Sequence, residues 1–266
     1  QIYDSLDIKI DFITYASATD RDAAFLSGKL DGMLTDYPGA TLLQAKGSRL
    51  RLVMETDGSL SLIASKKSNV RNPDDLKGKN ISVSGNTFVE YATDEVMKRA
   101  CLHPGEVNKP EINNIPLRLM MLEDGQISAS FLPGPATAIA LNDGHTALLN
   151  TRQMGLRCTG IVFSEKAITE KDEEIRRFIT GYNLGVKYLQ TRPQNEWTEI
   201  LVKEFGLQEK AAMQIDLPDY RSATRPSYHD IEKIIAWLKS KGAIPDYYPG
   251  ENLVDTTFIP GTLEPQ

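Results

Sequence analysis

Apolar and polar residues alternate in short runs along the first two thirds of the chain, and longer helical runs follow. Residues 7–14 alternate apolar with charged or polar side chains at a period of two, which predicts a strand. Short apolar runs at 30–34, 49–55 and 60–65 predict three more strands. From Asp172 onward apolar residues recur every three or four positions, which predicts helices. Strands that alternate with helices predict an α/β fold with a parallel sheet in each half.

The middle of the chain continues this alternation. Further apolar runs that predict strands lie at 80–83, 111–118, 147–150 and 159–164. Thr87 and Glu90 match the pattern of a capping box, so we expect a helix over residues 88–100. The segments 60–68 and 159–166 each link one half of the chain to the other, and we expect the chain to cross between its halves there.

Two stretches, residues 26–47 and 123–144, have nearly the same pattern. Gly28 aligns with Gly125 at an offset of 125 − 28 = 97 positions, and the same offset aligns the other conserved points of the pattern. Each copy has a glycine, a short apolar strand, a Pro/Gly turn, a helix of small residues and a closing glycine. The offset exceeds the period of about 20–50 residues that solenoid repeats have. The repeat therefore predicts two similar α/β domains with a ligand cleft between them.

Composition narrows the class of protein. The chain has 266 residues, enough for two domains, and its formal net charge of −6 argues against a nucleic-acid partner. It begins at Gln1 without an initiator methionine, and we expect this to be a mature or trimmed end. The two cysteines, Cys101 and Cys158, are compatible with one disulfide or with two free thiols.

The sequence offers little for catalysis. The three histidines, His103, His145 and His229, lie in separate connectors or helix ends, and we expect each to be exposed. Cys158 with a distant histidine is the only candidate nucleophile pair, and a buried structural thiol is the simpler interpretation. Because no hydrolase or metal-binding spacing occurs, we predict no catalytic residue, no metal and no cofactor.

Ligands of α/β sheets bind beyond the carboxyl ends of the strands, and this rule selects the candidate binding residues. They are the polar, aromatic and turn residues of the predicted strand-end loops: Tyr15, Ser17, Thr35, Asp36, Tyr37, Asp57, Ser84, Gly85, Asn86, Thr87, Leu132 and Pro133.

Each candidate has an ordinary structural alternative. The Ser84 to Thr87 loop precedes a helix, whose free N–H groups suit an anionic or polar ligand, but it also fits a common strand-to-helix turn. Asp36 suits an amine or hydroxyl donor, or else caps the following helix. Tyr15 and Tyr37 fit either an aromatic pocket wall or simple packing.

Several motifs together resemble one known family. Residues 75–83 with the loop 84–87 are similar to the central signature of solute-binding proteins of ABC importers. The likeness is to the NitT/TauT type, which binds nitrate, sulfonates, taurine and thiamine precursors. Residues 26–32 resemble its first glycine element, and residues 131–135 resemble its Leu-Pro-Glu-Pro turn, with Gly134 in place of the usual glutamate.

The resemblance, which spans residues 5–260, implies a bilobal fold of the periplasmic-binding-protein type II class, with two α/β domains joined by two crossing segments. Domain I would comprise residues 1–66 and 165–266, and domain II residues 67–164. The lobes would close on a small polar molecule by a hinge motion. The family usually has a further strand and helix before the first residues of this chain. We therefore expect that an N-terminal segment of about 25–40 residues is absent from this sequence.

The implied protein is an extracytoplasmic monomer, free in the periplasm or lipid-anchored on the outer face of the membrane. Its partners would be the transmembrane subunits of an ABC permease. It would meet the membrane only through them or through a lost N-terminal anchor.

Two rival classes remain open. One is an enzyme of the same fold, such as a pyrimidine-precursor synthase or a menaquinone-pathway enzyme. The other is a regulator's effector domain, which needs a DNA-binding domain. The selected loops contain Asp36 and Asp57 but neither Arg nor Lys. This favours a neutral or amine-bearing heterocycle over a simple oxyanion as the ligand.

Overall fold

The structure is a computed structural model that describes residues 2–213, 215 and 219–259. Its strands are β1 (Gly32–Asp36), β2 (Leu50–Thr56), β3 (Leu60–Ala64), β4 (Ile81–Ser82), β5 (Ala129–Pro133), β6 (Thr146–Asn150) and β7 (Thr159–Ser164). Its α-helices are α1 (Ala18–Leu26), α2 (Tyr37–Ala45), α3 (Phe88–Arg99), α4 (Ile115–Asp124), α5 (Gly134–Asn142), α6 (Glu165–Glu170), α7 (Asp172–Thr191), α8 (Gln194–Phe205), α9 (Glu209–Met213) and α10 (Tyr228–Ser240). None of these helices is long and apolar enough to cross a membrane.

The chain forms two compact units. Unit 1 contains the residues up to Asp57, Cys158–Thr191 and the residues from Asp219 onward. Unit 2 contains Gly58–Arg157 and the segment that begins at Arg192. The sequence analysis predicted domain boundaries at 66/67 and 164/165, with two passages of the chain between the domains. In the structure the chain passes four times between the two units.

The pairing of β3 and β7 and the packing of α9 account for the difference. β3 pairs with strands of unit 2 and β7 with strands of unit 1, the reverse of the expected assignment. On unit 2, Ala138 of α5 forms an apolar cluster with Leu207, Ala212 and Ile215, which keeps the α8–α9 segment there.

Neither sheet is parallel as expected: the strands of unit 1 pair antiparallel, and the sheet of unit 2 is mixed. In unit 1 the order is β1-β7-β2, and β7 runs antiparallel to both neighbours. In unit 2 the order is β4-β5-β3-β6, with β3 antiparallel to β5 and β6 and β4 parallel to β5. The cause lies in the crossings. Thr159, at the start of β7, lies opposite both Asp36 and Thr56, so β7 enters at the edge where β1 and β2 end and must run the other way.

The internal repeat is confirmed in the structure. β5 and α5 occupy the positions of β1 and α2 shifted by 97 residues, with identical bounds. The paired glycines also share their backbone conformation, with φ of +74° at Gly28 and +75° at Gly125, and +96° at Gly47 and +89° at Gly144. Glycine adopts these left-handed angles without the strain of a Cβ, which explains why both copies end their helices with it.

Two predicted strands are wrong. Residues 7–14 are irregular, and Phe12 and Ile13 are 71% and 58% exposed. A period-two pattern becomes a strand only where a neighbour supplies hydrogen bonds, and no described residue pairs with this segment. Residues 111–118 give one isolated bridge, at Glu111, before α4 begins. The expected additional N-terminal segment stays a prediction.

Each unit has its own apolar core. In unit 1, Val53 and Met54 of β2 pack with Ile161 of β7 and with Ile175 and Ile179 of α7. In unit 2, the buried cluster contains Ile63, Ile112, Leu122, Ile127, Leu132, Ala136 and Ala140. The cores hold the central strands, and therefore the strand ends, in fixed positions.

Gly160, in β7, offers a direct test of the unit 1 sheet. A Cβ at this position would lie 2.6 Å from Leu52 Cδ1 and 2.6 Å from the Met54 carbonyl oxygen. We expect Gly160→Ala to lower the free energy of unfolding by about 1–3 kcal/mol, measured by urea titration. The same change at Gly185 of α7, which has open space around it, is the control and should stabilise by about 0.5–1 kcal/mol. Equal effects at the two positions would contradict the packing described.

Candidate functional site

The carboxyl ends of β1 and β2 form one edge of the unit 1 sheet, and four predicted site residues lie there, Thr35, Asp36 and Tyr37 at β1 and Asp57 after β2. Thr35 is buried, and its Oγ1 accepts a hydrogen bond from Arg21 Nη2 at 3.0 Å. Asp36 Oδ1 accepts from the Gly39 N–H at 2.7 Å and so caps α2. The Tyr37 N–H donates to the Cys158 carbonyl at 2.8 Å. Asp36, which the sequence suited to an amine or hydroxyl donor, thus has a structural role as a helix cap.

Tyr37, Glu55, Asp57 and Arg221 form a hydrogen-bonded set, here called the edge network, in which Tyr37 and Glu55 are buried and Arg221 is partly exposed. The Tyr37 hydroxyl donates to Glu55 Oε2 at 3.0 Å. Arg221 Nη2 donates to Glu55 Oε1 at 2.7 Å, and its Nε and backbone N–H donate to the two oxygens of Asp57, both at 2.8 Å. Burial and the neighbouring Glu55 carboxylate raise the pKa of Tyr37 far above its usual value.

The edge network decides two questions that the sequence left open. The ring of Tyr37 is fully buried, so this tyrosine packs inside the unit and does not line an accessible wall. Asp57 is ion-paired with Arg221, 164 residues along the chain. With Asp36 capping a helix and Asp57 paired, the reason for preferring an amine-bearing ligand is weakened.

The segment before α1 contributes the other two candidates of unit 1. Ser17 is the N-cap of α1, and its Oγ accepts from the Asp20 N–H at 3.1 Å. Tyr15 lies half-buried just before it. Arg21, which the sequence analysis missed, brings a guanidinium to the end of β1 and is paired there with Asp22 at 2.7 Å.

In unit 2, the Ser84–Gly85 turn follows β4 and is held by polar contacts. Ser84 Oγ donates to Asn113 Oδ1 at 2.7 Å. Asn113 Nδ2 in turn donates to Glu111 Oε1 at 3.1 Å. A Cβ on Gly85 would lie 3.0 Å from that same Glu111 oxygen, so the glycine admits a close approach of the carboxylate. Residues 111–113, read as a strand from the sequence, therefore serve as a brace for the turn.

Asn86 and Thr87 complete the turn. Asn86 has a left-handed φ of +55°, and its N–H donates to Glu90 Oε2 at 2.7 Å. Thr87 caps α3 as predicted, since its Oγ1 accepts from the Val89 N–H at 3.2 Å. The turn is thus both a well-capped helix start and a rigid set of polar groups at a strand end.

Leu132 and Pro133 end β5. Leu132 is fully buried in the unit 2 core, so its side chain serves packing. Pro133 is half-buried, lies opposite Leu60 of β3 and precedes α5. Of the two, only Pro133 has surface to offer a ligand.

The candidate reactive groups have structural surroundings. Cys158 is buried, and burial raises the pKa of its thiol above the usual value. Cys101 is exposed, and both thiols are free. Across the described ranges, no three His, Cys, Asp or Glu side chains lie close enough to hold a metal ion.

His145 is a correction to the sequence analysis, because it is buried, whereas His103 and His229 are exposed as expected. Its Nδ1 accepts from the Lys66 N–H at 3.0 Å, and its Nε2 lies 3.2 Å from Glu123 Oε2. An Nδ1 acceptor requires the neutral ring with its proton on Nε2. Loss of hydration lowers the pKa of this imidazole.

A surface cavity of about 280 Å³ in unit 1 lies away from these residues. It is found near the start of β2 and the end of β7, the opposite edge of the sheet from the edge network. Its lining residues are Gln44, Ser48, Arg49, Arg51, Glu165, Pro249, Gly250 and Asn252.

Solved structures with the same fold include binding proteins and an enzyme. The ligand-binding component of an ABC-type import system from Staphylococcus aureus, with zinc bound, has a TM-score of 0.80 at 14% identity, covering 97% of this chain and 91% of that one. The alkanesulfonate-binding protein SsuA from Xanthomonas axonopodis pv. citri, bound to MOPS, has a TM-score of 0.78 at 18% identity, covering 92% and 87%. The desulfurization enzyme DSZB has a TM-score of 0.65 at 11% identity, covering 97% and 91%. The fold is therefore that of the periplasmic binding proteins.

The family follows from the sequence itself. Residues 3–196 match the model of the family described as NMT1/THI5 like. The chain belongs to this family, which confirms the resemblance inferred from its motifs. Among curated proteins, none matches the chain significantly.

Removal of the Arg221 guanidinium tests the edge network. Arg221→Met leaves Glu55 and Asp57 without their shared cation, and we expect the free energy of unfolding at pH 7 to fall by about 1–3 kcal/mol. The matched control is Arg177→Met, because Arg177 bonds an exposed glutamate on the same unit. It should change stability by less than about 0.5 kcal/mol. Equal losses in urea titrations of both variants would argue against the network.

The neutral His145 predicts a pH dependence of stability. Its folded pKa lies below the usual 6.5, so the unfolded chain takes up a proton first as the pH falls. The stabilisation is complete above about pH 6.5 and declines as the pH falls toward the folded pKa. His145→Asn, whose Oδ1 can still accept from Lys66, should flatten the change in unfolding free energy between about pH 7.5 and 5.5. The exposed His229→Asn is the control, and a wild-type slope that persists in His145→Asn would contradict the assignment.

Proposed function

We propose that this protein is the solute-binding protein of an ABC importer, and that its strand-end loops capture a small polar molecule. The repeat is the observation that carries the proposal. It gives the units equivalent strand ends, at Asp36 and Pro133, each followed by the start of a helix. Asp36 lies opposite Thr159, the first residue of β7, and Pro133 lies opposite Leu60, the first residue of β3. Both β7 and β3 begin within three residues of a passage of the chain between the units. Binding loops are therefore built where the covalent connections between the units run.

The chemistry of these edges supports reversible binding. Helix starts present free N–H groups and a positive dipole end, which suit carboxylate, sulfonate, amide or hydroxyl oxygens. The Ser84–Thr87 turn, with Asn113 and Glu111 behind it, adds hydroxyl, amide and carboxylate groups. In unit 1, Arg21 of α1 bonds Thr35 at the end of β1, and Ser17 caps the helix that carries Arg21. The loop residues selected from the sequence remain the proposed binding set, with packing roles for Tyr37 and Leu132.

An enzyme of the same fold is the rival, and the surroundings of its nominated residues weigh against it. A cysteine nucleophile acts as an accessible thiolate, whereas Cys158 is buried with a raised thiol pKa. Asp36 is engaged as the cap of α2. The likeness to DSZB keeps an enzymatic reaction as an outcome that the binding experiment must examine.

The proposed place of action is outside the cytoplasm, either in the periplasm or held at the outer face of the membrane by a lipid anchor. The permease subunits of the importer are the proposed partners, and the protein acts as a monomer. Neighbouring structures named as ABC-import and alkanesulfonate-binding components support this assignment.

Thermal shift against sulfonates, nitrate, pyrimidines and small amines tests the proposal on protein unfolded and refolded to remove any bound solute. A true ligand at 100 times its Kd should add about 2.7 kcal/mol to the free energy of unfolding. We expect Asn86→Gly, which keeps the left-handed backbone but removes the amide, to reduce this gain. Cys101→Gly is the matched control, because Cys101 is exposed on the same unit with a φ of +53°.

Two results would contradict the proposal. One is the absence of any stabilisation across the whole panel. The other is recovery of the stabilising compound in a chemically altered form, which would point to the enzyme.

A further inference from the structure

Arg118 is a buried arginine in unit 2 that the function described so far does not use. It lies in the first turns of α4, after the N-cap Asn114, and is only 3% exposed. Its Nη1 donates to the carbonyl oxygen of Phe131 in β5 at 3.0 Å. A guanidinium has five N–H donors, so one bond to a neutral carbonyl leaves most of its capacity to other partners.

The charge of Arg118 has no counter-charge in the described part of the chain. No described carboxylate forms an ion pair with it, and its buried Nε has no hydrogen-bond partner. Burial alone lowers the pKa of Arg118 to about 10, without a compensating anion. A buried charge is costly unless it is paired, so proteins rarely keep one unless something supplies the missing partner.

A second unsatisfied group lies in the same region. Ser82 is fully buried, and its Oγ has no hydrogen-bond partner among the described residues. Ser82 pairs with Ser130 across β4 and β5, and Ser130 Oγ lies 3.3 Å from the Ser82 carbonyl and 3.4 Å from the Phe131 carbonyl. Arg118 and Ser130 thus share the Phe131 oxygen. We call Arg118, Ser82, Ser130 and the Phe131 carbonyl the Arg118 cluster.

The cluster lies at the strand-end edge of unit 2. β4 ends at Ser82, directly before the segment that leads to the Ser84 turn, and Phe131 is two residues from the end of β5. Asn114 adjoins Asn113, which bonds Ser84. The donors that lack acceptors therefore adjoin the loops proposed to bind the solute.

We propose that Arg118 recognises an anionic oxygen group on the solute, with the Ser82 hydroxyl as a second donor. This inference rests on the proposed function and adds the class of ligand, an oxyanion such as a sulfonate, carboxylate or phosphate. It reverses the sequence-based preference for a neutral or amine-bearing heterocycle. That preference rested on loops without Arg or Lys, whereas this guanidinium comes from a helix beside them.

A purely structural arginine is the alternative, and the two roles predict opposite effects in the unliganded protein. If Arg118 mainly secures the Phe131 carbonyl, its loss should lower the unfolding midpoint. If Arg118 mainly serves to bind an anion, its replacement by an apolar side chain of similar length should leave the unfolding midpoint of the unliganded protein unchanged or raise it. The reason is that an uncompensated buried charge is removed.

The experiment titrates ethanesulfonate and its neutral isostere ethanesulfonamide into wild type, Arg118→Met and Arg99→Met by calorimetry, and records unliganded unfolding midpoints. Arg99 is the control, since it donates to the Met154 carbonyl from the exposed surface of the same unit. We expect wild type to prefer the sulfonate, and Arg118→Met to lose about 10- to 100-fold in sulfonate affinity with an unlowered midpoint. Arg99→Met should bind as wild type does.

Should Arg118→Met fail to fold, the wild-type protein still gives an answer. The Nε–H signal of Arg118 in nitrogen-15 NMR, assigned with Arg118→Lys, should shift on addition of ethanesulfonate and stay in place with ethanesulfonamide. An unmoved signal in protein that binds the sulfonate would overturn the inference.

The outcomes separate this inference from the proposed function. Equal sulfonate affinity in wild type and Arg118→Met overturns the role of Arg118 but leaves solute binding intact. Stabilisation of the wild-type protein only by the neutral or amine compounds of the panel would likewise overturn the role of Arg118 and leave solute binding intact. A wild type that binds no compound of either set contradicts the proposed function itself.

Discussion

The insertion of one strand between two others of opposite direction is the constraint on which both units depend. In unit 1, β7 supplies the hydrogen bonds for β1 on one side and β2 on the other. In unit 2, β3 does the same for β5 and β6. β7 follows directly on a passage between the units, and β3 begins soon after one. The sheet of each unit is thus completed by chain arriving from the other, and the strand ends gather at the edge of arrival.

The strand-end edges of the two units differ in whether their arginine is paired with carboxylates. In unit 1 the Arg221 guanidinium is shared by two carboxylates, Glu55 and Asp57, and every member of the edge network has a partner within the unit. In unit 2 the Arg118 guanidinium has one neutral carbonyl partner and an unsatisfied Nε. The paired charges of unit 1 brace the sheet edge, whereas the buried charge of unit 2 has no counter-charge among the described residues, which is the ground for the proposed anion binding. The asymmetry explains why equivalent edges of a repeated architecture would have different roles in binding.

Sequence patterns predicted the repeat and the capped helix starts well, since both are local. The glycines at 28 and 125, and the cap at Thr87, report backbone conformation directly. The direction of β3 and β7 was missed because an apolar run does not state which way its strand runs. Residues 7–14 carried a strand pattern without a described strand to pair with. Arg221 and Arg118 were missed because their partners are set by tertiary packing, and neither belongs to the loops that the pattern selected.

Reversible capture of an unaltered solute is the central claim, and a calorimetric titration followed by mass spectrometry of the recovered compound tests it most directly. Ethanesulfonate is the probe of choice, because its oxyanion matches the unsatisfied donors, Arg118 Nε and Ser82 Oγ. The account predicts saturable binding of one molecule per chain and recovery of the sulfonate unchanged. No binding by this or any small polar compound, or release of a chemically changed product, would contradict it.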